Sequence, residues 1–220
     1  MFDLGNIYKI RKAVMDGERD IALQLTKEAL SENIPADQIL DKCVIPALET
    51  VGDLFGKGEY FLPELILSGE AATGAMEVLE PILGKGDAPC RGKFAIGTVE
   101  NDVHTIGKNI VIMMLKGNGW KVTDLGVDIS PDEFCSAVDK GDFQILGLSS
   151  LLTMTMVNSA MTIQALTAAG LRNKVKVMVG GAPVTQEWAE KIGADGYAKD
   201  GPTAVKVAAA LLGKSQKEGY

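Results

Sequence analysis

Histidine occurs once in these 220 residues, at His104, so any imidazole chemistry has a single address. Cysteine is scarce. Cys43, Cys90 and Cys135 are far apart and odd in number, which excludes a disulfide framework and a zinc spacing and points to a reduced, cytoplasmic setting. Aromatics are only 5% while glycines number 25, a mix that suits tight strand-to-helix turns around an aliphatic core better than an all-β sandwich. Basic charge is in deficit: 22 Lys and Arg against 29 Asp and Glu leave a net charge of −7, a poor balance for holding nucleic-acid phosphates. No run of about eighteen apolar residues exists, so no membrane span is expected. The opening Met1-Phe2-Asp3-Leu4-Gly5 lacks the basic start and apolar stretch of a secretory signal. What is present is ordinary globular material, 46% hydrophobic and 23% charged. That excludes disorder as the main state, and the length allows one large domain or two small ones.

The pattern changes near the middle. Residues 1–83 read as helices only. A first helix is bounded by Asp3 and the Gly17 break, Ile21, Leu25 and Ala29 recur at a spacing of four, and Leu40, Cys43, Val44, Ala47, Leu48, Val51, Leu54 and Phe55 form a long stripe of helical period. Gly56-Lys57-Gly58 ends that stripe, and Leu62 to Leu83 make another, with Pro63 near its start where a missing N–H costs little. Four helices with short links predict an all-α four-helix bundle. Residues 84–92 carry three glycines and one proline without periodicity and read as a linker. From residue 93 to 220, strands and helices alternate. Strands are expected at Phe94–Val99, Lys121–Leu125, Phe143–Leu148, Val175–Val179 and Gly196–Ala198; helices at Ile106–Gly117, Pro131–Lys140, Met154–Ala169, Thr185–Ile192 and Pro202–Leu212. Five such units imply a five-stranded parallel sheet covered on both faces, an α/β, flavodoxin-like (Rossmann-like) domain. In such sheets ligands sit at the carboxyl ends of the strands.

The first strand runs into Glu100-Asn101-Asp102-Val103-His104-Thr105-Ile106-Gly107-Lys108. There is no G-x-G-x-x-G, and Asn109 after Gly107-Lys108 excludes a P-loop. A carboxylate two residues from a histidine can accept from one ring nitrogen and leave the other for a metal or a proton. Capping or packing is the simpler role for a lone histidine at a helix start. One imidazole cannot make a zinc site, so a metal bound here would bring its other ligands with a cofactor. The third strand ends in Ser149-Ser150-Leu151-Leu152-Thr153-Met154-Thr155, a dense group of hydroxyls suited either to helix capping or to lining a pocket. Gly180-Gly181 after the fourth strand is either a tight turn or a place where a bulky ligand meets backbone.

Asp102-x-His104-x-x-Gly107, then Ser149-x-Leu151 after 41 residues, then Gly180-Gly181 after 28 more, is similar to the signature of the cobalamin-binding domain of methionine synthase and its relatives. Gly58-Glu59-Tyr60-Phe61-Leu62-Pro63-Glu64 is similar to the family's cap. The two-domain form resembles the stand-alone corrinoid proteins of methyl transfer, and residues 178–189 most resemble the methylamine and quaternary-amine branch.

The resemblance implies cobalamin or a related corrinoid, with His104 as lower axial ligand to cobalt in place of the cofactor's own base. Asp102 would accept from the other ring nitrogen, and Thr155 would stand where methionine synthase carries a serine relay. Val103, Thr105 and Ile106 would contact the cofactor, and Gly107 would leave room for its tail between the first helix and strand of this domain. Ser149, Leu151 and Thr153 would line the tail slot, Gly180 and Gly181 its far end, and Ala198 would close it. A cobalt(I)/cobalt(III)-methyl cycle follows from the same likeness: methylcobalamin keeps the axial imidazole, cobalt(I) releases it, and the freed ring takes up a proton. The bundle, at Phe61 and Leu62, would shield the methyl face. The implied partners are a substrate:corrinoid methyltransferase, a second methyltransferase serving coenzyme M or tetrahydrofolate, and a reductive activator. The alternatives are a cobalamin sensor module and the small subunit of an adenosylcobalamin mutase.

Overall fold

The computed structural model describes residues 4–83 and 91–213; the stretch read as a linker lies outside them except for Arg91 and Gly92. No helix among the described residues is long and apolar enough to cross a membrane. These residues divide into two compact units, one drawn from Met1–Arg91 and Met113–Trp120, the other from Gly92–Ile112 and Lys121–Tyr220.

The first unit is built from α1 (Leu4–Met15), α2 (Arg19–Ser31), the short α3 (Ala36–Ile39), α4 (Ile45–Gly56) and α5 (Leu62–Leu83). Gly17 at φ 75° turns the chain between α1 and α2. In α2 the buried face is Ala22, Thr26 and Ala29, whereas Ile21 is exposed. The helical stripe is real, but it runs through Ala22 and Thr26 in place of Ile21 and Leu25 and joins the expected one at Ala29. The long stripe from residue 40 is interrupted by a π-helical segment at Leu40–Val44. The cause is Pro46, whose missing N–H cannot serve the Lys42 carbonyl. Ile45 N–H reaches back five residues to Leu40 O, and the Lys42 carbonyl accepts from Arg11 Nε at 2.8 Å. Glu64 caps α5 by accepting from the Phe61 N–H at 2.9 Å, while the Phe61 and Leu62 side chains stay exposed.

The second unit holds β1 (Lys93–Val99), α6 (which begins there and runs Ile106–Gly117), β2 (Lys121–Ile129), α7 (Pro131–Lys140), β3 (Ile145–Ser149), α8 (Met156–Ala168), β4 (Lys176–Gly180), α9 (Gln186–Lys191), β5 (Gly196–Ala198) and α10 (Gly201–Leu211). The strands are all parallel in the order β2-β1-β3-β4-β5, so the order reverses at β1 and opens a crevice between the ends of β1 and β3. β1 is buried from its second residue onward, and Ala95, Val99, Leu146, Leu148, Val177 and Val179 share one core with Phe134, Ile163 and Leu166 of the helices. This is the α/β class expected from the alternation. Most boundaries move by one or two residues, β3 beginning at Ile145 rather than Phe143, and two shifts have a visible cause. β2 does not stop at Leu125; it continues to Ile129 through register shifts against β1, because Gly126 at φ 100° bulges the strand instead of ending it. α8 begins at Met156, two residues late, because Thr153–Thr155 form a turn.

Candidate cofactor site

The loops leaving β1 and β3 meet at the crevice, and Asp102 is their junction. Its side chain is fully buried. Oδ1 accepts from the His104 backbone N–H at 3.1 Å and faces His104 Nδ1 at 2.8 Å. Oδ2 accepts from the Leu151 N–H at 2.7 Å and the Thr155 hydroxyl at 2.8 Å. Burial by itself pushes this carboxyl up, but the two backbone N–H groups, the His104 ring and the Thr155 hydroxyl outweigh it and hold it at about 2 against an ordinary 3.8. The group is therefore an ionised acceptor. An acceptor at Nδ1 places the ring proton there and leaves Nε2 with its lone pair. The His104 side chain is 46% exposed, so the ring meets solvent while its anchor does not.

Thr155 is buried and its oxygen also lies 2.9 Å from the Leu152 carbonyl. One hydroxyl has one proton, and the charged carboxylate is the better acceptor. The hydroxyl, carboxylate and imidazole thus form a continuous chain, with a threonine in the position where the likeness to methionine synthase expected a serine.

The remaining expected residues sort into two groups. Val103, Thr105, Ile106, Gly107, Leu151 and Thr153 are exposed on the two loops, and Ser149 is half-buried. A Cβ added at Gly107 would meet nothing within 4 Å, so the start of α6 is open to a bulky neighbour. Gly180, Gly181 and Ala198 are different. A Cβ at Gly180 would stand 2.8 Å from the Ala198 carbonyl oxygen, and one at Gly181 1.8 Å from the Ser150 carbonyl oxygen. These glycines are filled by neighbouring backbone, so a side chain at 181 acts first on the strand ends and not on a ligand.

Several residues around the site were not singled out by sequence. Leu152 and Met154 extend the exposed apolar rim, Met154 at 86%. Ser150 is buried with no hydrogen-bond partner for its hydroxyl among the described residues. Thr98 Oγ1 donates to the His104 carbonyl at 3.0 Å, Asn158 Nδ2 to the Glu100 carbonyl at 2.6 Å, and the Asn101 N–H to Asp128 Oδ1 at 2.6 Å. The doublet Asp124-Leu-Gly-Val-Asp128 was the only sequence hint of that last contact.

No group of three or more His, Cys, Asp or Glu among the described residues is placed to hold a metal ion. What the site offers is one oriented imidazole, an exposed apolar rim of Val103, Ile106, Leu151, Leu152 and Met154, an open flank at Gly107 and a hydroxyl with spare capacity. That set fits a cofactor that brings its metal already coordinated in a plane.

Comparison with known proteins agrees. A B12 binding domain family matches residues 92–207, and a second family of B12 binding domains matches residues 7–80. The trimethylamine corrinoid protein of Methanosarcina barkeri is 42% identical over 93% of this chain and 96% of its own length. A crystal structure of a cobalamin-binding protein from Desulfitobacterium hafniense superposes with a TM-score of 0.78 at 32% identity, covering 93% of this chain and 98% of that one. The methanol:cobalamin methyltransferase complex of Methanosarcina barkeri gives 0.81 at 28% identity, covering 97% of this chain and 82% of that one. With both of its halves matched and a single oriented imidazole at the crevice, the chain belongs to the B12-binding corrinoid protein family, and its cofactor is cobalamin or a related corrinoid.

Proposed function

We propose that this corrinoid protein accepts a methyl group from a methyltransferase acting on a methylamine or quaternary amine and yields it to a second methyltransferase serving coenzyme M or tetrahydrofolate, in the cytoplasm, with a reductive activator as a third partner. The bound corrinoid supplies the cobalt on which the methyl group is carried. The relative named for trimethylamine supports the donor class, and the complex named for methanol and cobalamin supports a methyltransferase as partner.

The chain's own residues supply orientation and proton control. His104 would hold the corrinoid's cobalt through Nε2, with Asp102 keeping the ring proton on Nδ1. The Thr155 hydroxyl and the Leu151 N–H donate to Asp102 and stabilise its charge, which keeps it ionised in the interior. Ser149, Leu151 and Thr153 line the space beside the ring, and Gly107 leaves room at the helix start. The observation that carries this reading is the half-exposed ring with Nδ1 2.8 Å from a buried carboxylate.

The test is electron paramagnetic resonance of the reduced, cobalt(II) holoprotein grown with 15N-histidine. The expected result is nitrogen splitting that changes with the isotope and vanishes in His104→Ala; splitting unchanged in that variant overturns the axial role. Methyl transfer from trimethylamine through an amine-specific methyltransferase tests the donor. Transfer from methanol alone would reject it.

A further inference from the structure

The loop that carries the Asp102–His104 pair is held at three points. Asn158 grips its beginning at the Glu100 carbonyl and Thr98 its end at the His104 carbonyl. Between them lies the Asn101–Asp102 segment, and it is bonded on two sides to one residue of β2. Asp128 Oδ1 accepts from the Asn101 N–H at 2.6 Å, and the Asp128 N–H donates to the Asp102 carbonyl at 3.0 Å. Both partners are in the left-handed region, Asn101 at φ 62° and Asp128 at φ 55°, where a residue with a side chain is disfavoured and Asn and Asp are the tolerated exceptions. Asn33 is the remaining non-glycine residue of this kind among those described, and it lies in the other unit.

The bulge at Gly126 is what delivers Asp128 to this position. Without the register shifts between Ile96 and Val99, the end of β2 would follow a plain pleat, and residue 128 would not turn its carboxylate to the Asn101 N–H and its own N–H to the Asp102 carbonyl at once. Such strain is retained where the surroundings over-determine it, and it concentrates at functional loops.

We propose that Asp128 is a positioning residue for His104: it clamps the Asn101–Asp102 segment from both sides, and through the Asp102 carboxylate it fixes which imidazole nitrogen faces the corrinoid. This rests on the axial role proposed for His104. A shift of the Asp102 carbonyl moves the carboxylate three bonds away, and the Nδ1 contact has little slack at 2.8 Å. The exposed position of Asp128 means that its loss removes the clamp without opening the core.

Two variants separate the acceptor from the backbone conformation. Asp128→Gly keeps positive φ without strain and removes the carboxylate. Asp128→Asn keeps both the φ tolerance and an acceptor oxygen. The single histidine gives an unambiguous 15N NMR signal in the cofactor-free protein, which reads the neutral-ring tautomer and the exchange rate of its Nδ1 proton. In Asp128→Gly the Nδ1 proton is expected to exchange about fivefold faster, the size of one net hydrogen bond, with a measurable Nε2–H tautomer. The β3 amide of Leu146 keeps the wild-type rate, and Asp128→Asn restores His104. In the cobalt(II) holoprotein, Asp128→Gly shows a larger fraction without axial nitrogen. Unchanged Nδ1 exchange in Asp128→Gly, a parallel acceleration at Leu146, or failure of Asp128→Asn to restore the signal overturns the clamp. Because the NMR experiment contains no corrinoid, its outcome is independent of whether His104 ligates cobalt.

Discussion

A carboxylate receiving four donors is the residue on which the site turns. Asp102 pays for its burial only because the Leu151 N–H, the Thr155 hydroxyl and two groups of His104 all point at it. The hydroxyl contribution can be isolated. Thr155→Ser keeps the donor and should leave apo stability within about 1 kcal/mol of wild type, the deleted methyl being the sole loss. Thr155→Val keeps the shape, removes the donor and should cost about 1–3 kcal/mol in urea unfolding, with the His104 Nδ1 proton less protected. Gly181 makes the opposite kind of demand. Its φ of 131° and a Cβ position 1.8 Å from the Ser150 carbonyl oxygen predict that Gly181→Ala destabilises by several kcal/mol, of order 3. A variant that unfolds at the wild-type urea midpoint would contradict that geometry.

At the scale of elements, β2 and α7 share a corner with separable duties. Ser130 accepts from the Glu133 N–H at 3.3 Å, and Glu133 accepts in return from the Ser130 N–H at 2.9 Å, a capping box directly after the strand. Ser130→Ala should cost about 1 kcal/mol and leave the His104 NMR signal in place, since the clamp stands two residues earlier on the strand; a shifted ring signal would mean that cap and clamp are one unit. Much of this scale was legible in the sequence. Helical stripes of period near four and the strand-glycine-helix alternation lie in local pattern, and α6 and α7 fall where the pattern puts them. The exceptions have tertiary causes. Gly126 reads locally as a stop, yet pairing with β1 carries the strand past it. The stripe from Leu40 to Phe55 reads as one regular helix, yet the turn before Pro46 widens. The Asp102–His104 pair was legible because two residues of one loop suffice to make it. Its clamp was not, since a contact from residue 101 to 128 exists only after β1 and β2 have paired out of register.

For the whole molecule, acid is the informative perturbant. Asp102 titrates at about 2 in the fold against 3.8 without it. A depressed carboxyl stabilises the fold above the unfolded value, and that stabilisation is lost as pH falls from about 4 towards 2. The difference corresponds to about 2 kcal/mol for this fully buried group. Asp195 acts in the same direction: burial raises it, but the Val177 N–H and the Arg172 guanidinium lower it further. Urea midpoints of the cofactor-free protein should therefore fall between pH 4 and pH 2, and Asp102→Asn should flatten that limb without abolishing it. A limb of unchanged steepness in the variant would place the acid sensitivity elsewhere.

The solitary imidazole also makes the chain a stoichiometric reagent for its own pocket. Diethyl pyrocarbonate, which carbethoxylates neutral rings, has one imidazole per molecule to attack, and that ring is half-exposed. The cofactor-free protein should show an absorbance increment at the carbethoxy-imidazole band equal to one group per chain, and a loaded sample none. The fraction of any preparation that holds its corrinoid then becomes a titration with a chemical end point.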